Sequence, residues 1–138
     1  MAGEDLLGTS GELTRHDGAP TWVIASLQQW AGTQLPQPYL DLLSKTNGAE
    51  GFISETNYLV LWPADQVAEL NEAYSVGEFA PGLLLIGSDG SDTGFALDTR
   101  HQPMTVQAVP FVGMSLDEAK TVGSDFEDFL RRLEGRSS

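Results

Sequence analysis

Three aspartates, Asp89, Asp92 and Asp98, fall within one short stretch, Ser88-Asp89-Gly90-Ser91-Asp92-Thr93-Gly94-Phe95-Ala96-Leu97-Asp98, and His101 follows three residues later. Carboxylates gathered beside an imidazole are the raw material of a metal site or an acid-base pair. The spacing supplies neither. An EF-hand loop needs acidic or amide side chains at alternating positions and a downstream glutamate, and Ser88 to Gly94 does not provide them. Local turn chemistry accounts for the same residues, because Asp and Ser side chains close tight turns on their own backbone. The glycines Gly87, Gly90 and Gly94 do not form a dinucleotide fingerprint either, since their spacing is wrong and a strand pattern, not a helix, follows. Nucleophilic catalysis lacks its parts: there is no cysteine, and neither His16 nor His101 lies near a nucleophile signature such as G-x-S-x-G.

The charge balance narrows the partner instead. Twenty acids against seven bases give a formal net charge of −13. Nucleic acid and anionic membrane surfaces repel such a chain, whereas a basic protein is drawn toward it. The excess is concentrated between residues 41 and 98, where ten carboxylates face the single base Lys45. Acidity also serves plain solubility, so charge alone does not identify a binding face. Without cysteine there is no disulfide framework, and no stretch reads as a secretory signal or a membrane span, so the expected location is the cytoplasm.

The elements that must position these residues can be read from periodicity. A chain of 138 residues is the size of one domain. Residues 1–19 carry few apolar side chains and read as a loosely held N-terminal arm, 20–134 as the domain and 135–138 as a tail. Residues 20–31 have helical spacing, with Trp22 and Trp30 on or near the buried stripe, and Gly32 stops them. Pro36 and Pro38 reset the chain before a second short helix through Tyr39, Leu42 and Leu43, ended by Asn47-Gly48. Strands are predicted at 51–54 and 58–61, and a third helix after Pro63 through Val67, Leu70 and Asn71. A turn at 78–82 leads into a central hairpin, an apolar run at 83–86 and another at 95–97 around the glycine and aspartate loop. A half-buried strand at 104–109, a capping box from Ser115 to Glu118 and a last amphipathic helix at 124–133 complete the chain. Hairpin-linked strands with helices at the start, middle and end predict an α+β fold, a largely antiparallel mixed sheet with helices packed against it.

Four pieces of this chain, in order, resemble the SUKH superfamily, in its branch related to the yeast cell-wall-assembly regulator. They are Leu35-Pro36 with Tyr39, Leu42-Leu43 and Asn47-Gly48; Leu61-Trp62-Pro63 with Glu69 and Asn71; Gly87-x-Asp89-Gly90 leading into Phe95-Ala96-Leu97-Asp98; and Val109-Pro110-Phe111 before the final helix. The resemblance implies a structural role for Pro36, Tyr39, Asn47, Gly48, Trp62, Gly87, Asp89, Gly90 and Asp98, and no catalytic motif, metal or cofactor. It implies a binding module: small bacterial members are thought to be immunity proteins that block toxin domains, often nucleases, while larger fungal relatives act as signalling scaffolds.

An inhibitor of a cationic nuclease gains association rate from an opposite field, and affinity from carboxylates that imitate substrate phosphates. The acidic or aromatic residues expected on turns of the carboxylate-rich segment are Glu50, Glu55, Tyr58, Glu78, Asp89 and Asp92, the candidates for partner binding. The expected partner is a basic protein, a toxin domain, met by a monomer or homodimer; the alternative is a scaffold binding an endogenous protein.

Overall fold

The apolar runs at 83–86 and 95–97 do form the central hairpin, and the sheet grows from it on both sides. The computed structural model describes residues 13–135. Its strands are β1 (Thr14–Arg15), β2 (Ala49–Phe52), β3 (Tyr58–Leu61), β4 (Leu83–Ser88), β5 (Thr93–Asp98), β6 (Val106–Pro110) and β7 (Lys120–Gly123). Five helices accompany them: α1 (Thr21–Ala31), α2 (Gln37–Lys45), α3 (Ala64–Ala73), α4 (Val76–Phe79) and α5 (Phe126–Leu133). The strands lie in the sheet in their sequence order, and all six pairings are antiparallel. The α+β expectation holds, and no pairing among the described residues is parallel. Strands β4 and β5 are buried almost throughout, as a sheet centre covered on both faces must be. On one face Phe95 meets Phe129 edge-on at 4.8 Å, and Phe126 meets Tyr39 edge-on at 5.3 Å, so α5 and α2 close the core there.

The connection from β3 to β4 runs through α3 and α4. Strand β3 pairs with β4 only at Val60–Ser88 and Leu61–Gly87, and the Trp62 N–H reaches Ile86 O at 2.9 Å. Pro63, with no N–H to offer, then turns the chain into α3. Leu85 is thereby left without a strand partner on that side, and the buried Asn71 side chain takes its place. The Asn71 amide accepts from the Leu85 N–H at 2.8 Å, donates to Leu85 O at 2.9 Å and donates to Val67 O at 2.7 Å. Gly87 allows the close approach of β3, since a Cβ there would come within 2.1 Å of Val60 O. The start of α3 is capped from a distance: Asn47 Oδ1 accepts from the Ala64 N–H at 2.7 Å, and its amide donates to Asp65 at 3.1 Å. Gly48 and Trp62, both buried, lie beside that junction, and Pro36 turns the chain into α2 as its N-cap residue.

Several expectations need correction. Trp22 is 71% exposed and Trp30 40% exposed. The buried stripe of α1 is Val23 and Leu27, one helix position away from Trp22, because α1 is covered on one side only. The predicted turn at 78–82 is partly helical, as α4 covers Val76–Phe79. Ser115 makes no capping bond. The reciprocal cap lies at α5 instead, where Asp125 accepts from the Asp128 N–H at 2.8 Å and Asp128 accepts from the Ser124 N–H at 2.9 Å. Strand β7 was not foreseen, since Lys120 and Thr121 leave little apolar signal on an exposed edge. Of the expected arm, residues 1–12 lie outside the described residues, as do 136–138 of the expected tail. Residues 13–19 are attached: Thr14–Arg15 pairs with β2, Leu13 and Ala19 are buried, and the Ala19 N–H donates to Leu43 O at 2.8 Å.

Two substitutions test this framework. Asn71→Ala orphans both Leu85 groups in a buried site and is expected to cost about 2–4 kcal/mol in denaturant unfolding; a loss within experimental error would mean that Leu85 finds another partner. The Tyr39 hydroxyl is fully buried with no hydrogen-bond partner, and burial pushes its pKa well above the usual tyrosine value. Tyr39→Phe keeps the ring contacts and removes that group, so it is expected to raise stability by roughly 1 kcal/mol. A destabilised Phe variant would reveal a bond made by the hydroxyl.

Candidate functional site

A broad, shallow groove of about 1010 Å³ opens on the surface formed by β2, β3, the β4–β5 turn and the residues after β6. Glu50 comes from β2, Tyr58 from β3, Asp89 and Asp92 from the turn, and Phe111 and Val112 from the segment beyond β6. Four of the six candidate binding residues thus meet here: Glu50, Tyr58, Asp89 and Asp92. The other two do not. Glu55 is exposed in the β2–β3 turn and Glu78 is exposed on α4, and neither lines the groove.

The acidic rim is held by backbone chemistry. Asp89 Oδ1 accepts from the Ser91 N–H at 2.9 Å and the Thr93 N–H at 3.3 Å, closing the turn. Asp92 accepts a bond from the Ser91 hydroxyl, and its backbone carbonyl accepts from the Phe111 N–H at 2.9 Å, which seats Phe111 next to the turn. Gly90, at φ 82°, leaves room for Tyr58, whose ring carbon Cδ2 lies 2.5 Å from where a Cβ would stand. Tyr58 donates its hydroxyl to Glu50 Oε2 at 3.0 Å, and that bond, with smaller contributions from desolvation and from the Glu50 charge, raises the phenol pKa. Among the described residues no lysine, arginine or histidine lines the groove, so its three carboxylates have no cation among those neighbours in the lining.

Between the carboxylates lie aromatic rings of which sequence reasoning assigned only Tyr58 to binding. Trp62 and Tyr74 stack nearly parallel with centroids 6.3 Å apart, Tyr74 stacks on Phe111 at 4.7 Å, and Phe52 meets Tyr58 edge-on at 5.1 Å. Phe52 and Tyr74 are each about two-fifths exposed, and Val112 is 87% exposed.

Asp98 belongs to a different place. It pairs with Leu83 at the far end of the hairpin, about 15–20 Å from the turn that holds Asp89. Its carboxylate is buried and accepts from the Arg100 Nε at 2.9 Å, Nη2 at 3.0 Å and backbone N–H at 3.1 Å, with His101 Nε2 3.7 Å away. The Arg100 side-chain bonds, its backbone bond and the charges of Arg100 and His101 hold the Asp98 pKa below the usual carboxylate range against the opposing effect of burial. The arginine fixes the loop after β5, as a carboxylate at a strand end commonly does. Among the described residues no group of three His, Cys, Asp or Glu side chains is placed to hold a metal ion, and no helix is long and apolar enough to cross a membrane. His16 is exposed, and its backbone N–H donates to Thr46 Oγ1 at 2.8 Å.

Compared with known proteins, residues 18–132 match the sequence model of the SMI1 / KNR4 family (SUKH-1). No curated protein matches the chain.

Asp98 and Asp128 both have lowered pKa values, Asp128 chiefly through its bond from the Ser124 N–H. A depressed carboxylate stabilises fully above its unfolded value, about 4, and that contribution is lost as pH falls through the folded value. Stability is therefore expected to fall below about pH 4. Asp98→Asn should flatten this acid limb while lowering stability at neutral pH, measured by thermal unfolding across pH. An unchanged acid limb in the variant would show that Asp98 is not among the groups responsible.

Proposed function

The chain belongs to the SMI1 / KNR4 family (SUKH-1), and from that premise we propose that it is a non-catalytic binding protein of the immunity type, which neutralises a cognate toxin by covering its active site. The single observation that carries this reading is the groove: three carboxylates, exposed apolar and aromatic surface between them, and no basic side chain in the lining. Such a surface has the make-up of an interface that meets a cationic partner, with a charged rim that sets association rate and an aromatic floor that sets residence time. The covered partner is a basic toxin domain, and a nuclease fits best, because its Arg and Lys residues are already arranged for phosphates that Glu50, Asp89 and Asp92 can imitate. Glu55 and Glu78, outside the groove, contribute to the long-range field alone. The second reading, a regulatory scaffold for an endogenous protein, draws on the same surface and differs in what occupies it.

The test uses immobilised protein to capture partners from the native cell, eluting with salt. A basic toxin domain is expected in the eluate, its lethality blocked by equimolar wild-type protein. The variant carrying Glu50→Gln, Asp89→Asn and Asp92→Asn keeps the turn acceptors but loses the charge. Its association rate with that toxin should drop about tenfold or more at low ionic strength, and its salt dependence should flatten. An eluate holding only endogenous regulatory proteins would favour the scaffold, and kinetics unchanged in the triple variant would place the interface elsewhere.

A further inference from the structure

Trp22 and Trp30 lie outside the acidic groove. Trp22 is 71% exposed and Trp30 40% exposed, and among the described residues neither ring stacks on another. With Ser26 midway between them on α1, they form one i, i+4, i+8 ridge about 12 Å long. Beside this ridge another groove, of about 310 Å³, runs between α1 and α3 over Val23, Leu27, Ala64 and Ala68, with both tryptophans in its lining. It shares no lining residue with the acidic groove. Large apolar side chains held together in water mark a surface that another surface covers.

The charge of this face says what covers it. From residue 18 to residue 40 the chain carries no Asp, Glu, Lys, Arg or His, although its formal net charge is −13. Among the described residues the lining holds one charged side chain, Asp65, which accepts from the Asn47 amide at 3.1 Å. A basic partner gains no steering from a neutral ridge. A second copy of the chain needs one, because in a two-fold dimer every charge near the axis meets itself, and two bodies at −13 repel. The ridge is also its own complement. We infer that α1 crosses α1 of a second copy about a two-fold axis beside Ser26, Trp22 of each copy lying against Trp30 of the other. Ser26 is small and exposed, so the helices can approach at the crossing, and ridges at i±4 spacing interdigitate in the commonest mode of helix packing. This pairing is independent of what the acidic groove binds.

Sedimentation equilibrium of the full chain, at low and at high ionic strength, tests it. An eleven-residue helix spans about 16 Å, a small area for a specific interface, so a dissociation constant on the order of 100 µM is expected. The dimer should tighten about threefold or more as salt screens the repulsion between copies, opposite in sign to the binding of a basic partner. Trp22→Gln and Ser26→Lys, both at exposed positions, should each weaken it about tenfold or more and leave Tm unchanged. In this cysteine-free chain Ser26→Cys should form a disulfide-linked dimer under mild oxidation, faster than Glu118→Cys at an exposed site off the ridge. A chain that stays monomeric at millimolar concentration in both salts would overturn the inference, as would a dimer that loosens with salt or survives both ridge variants. Tryptophan emission shielded from acrylamide in the dilute monomer would assign the face to a segment of the same chain and overturn it equally.

Discussion

The side chain of Asn71 stands in for a strand. Where β3 leaves the sheet at Pro63, one residue of β4 keeps an N–H and a C=O with no ladder partner, and the Asn71 amide answers both from a helix. A buried backbone pair left open costs more than most single contacts contribute, so this bond decides where α3 lies against β4. Position follows from it on both sides. Asn47 caps the first turn of α3, and Tyr74, the residue that follows its last, stacks against Trp62, the residue from which the chain departed. One amide thereby fixes both the β3–β4 connection and a side of the groove.

Two kinds of carboxylate result from this architecture, and their environments separate their roles. Asp98 and Asp128 are buried, bonded to backbone N–H groups and paired with arginines, and their charge is consumed in holding a loop and a helix start. The groove's Glu50, Asp89 and Asp92 face solvent or nearly so and have no cation in the lining around them. The charge the first pair carries is matched inside the molecule, while that of the second set is open to whatever approaches. The chemistry of the surface is therefore electrostatic and aromatic.

Much of this was legible from residue order. The central hairpin, the helices after Pro36 and Pro63, and the structural purpose of Asp89 and Asp98 follow from turn chemistry and periodicity, because these are local effects. What was not legible is what only the third dimension decides. Trp22 and Trp30 sit at helical spacing beside Val23 and Leu27, yet which stripe is covered depends on how α2 and α3 pack against the helix. Glu55 and Glu78 look like Glu50 in sequence, but neither lines the groove. The aromatic floor escaped notice because its rings come from β2, β3, α3 and the segment after β6, separated by as many as about sixty residues and joined only by the meander.

The β4–β5 turn separates the residues that make the fold from those that meet the outside. Asp89 and Gly90 are committed to its backbone geometry, whereas Asp92, Phe52 and Val112 reach the surface without entering the buried core. Substitutions at those three positions would change the exposed surface and leave the interior untouched. The outer face of this scaffold can therefore vary in sequence while the core of the fold is held constant.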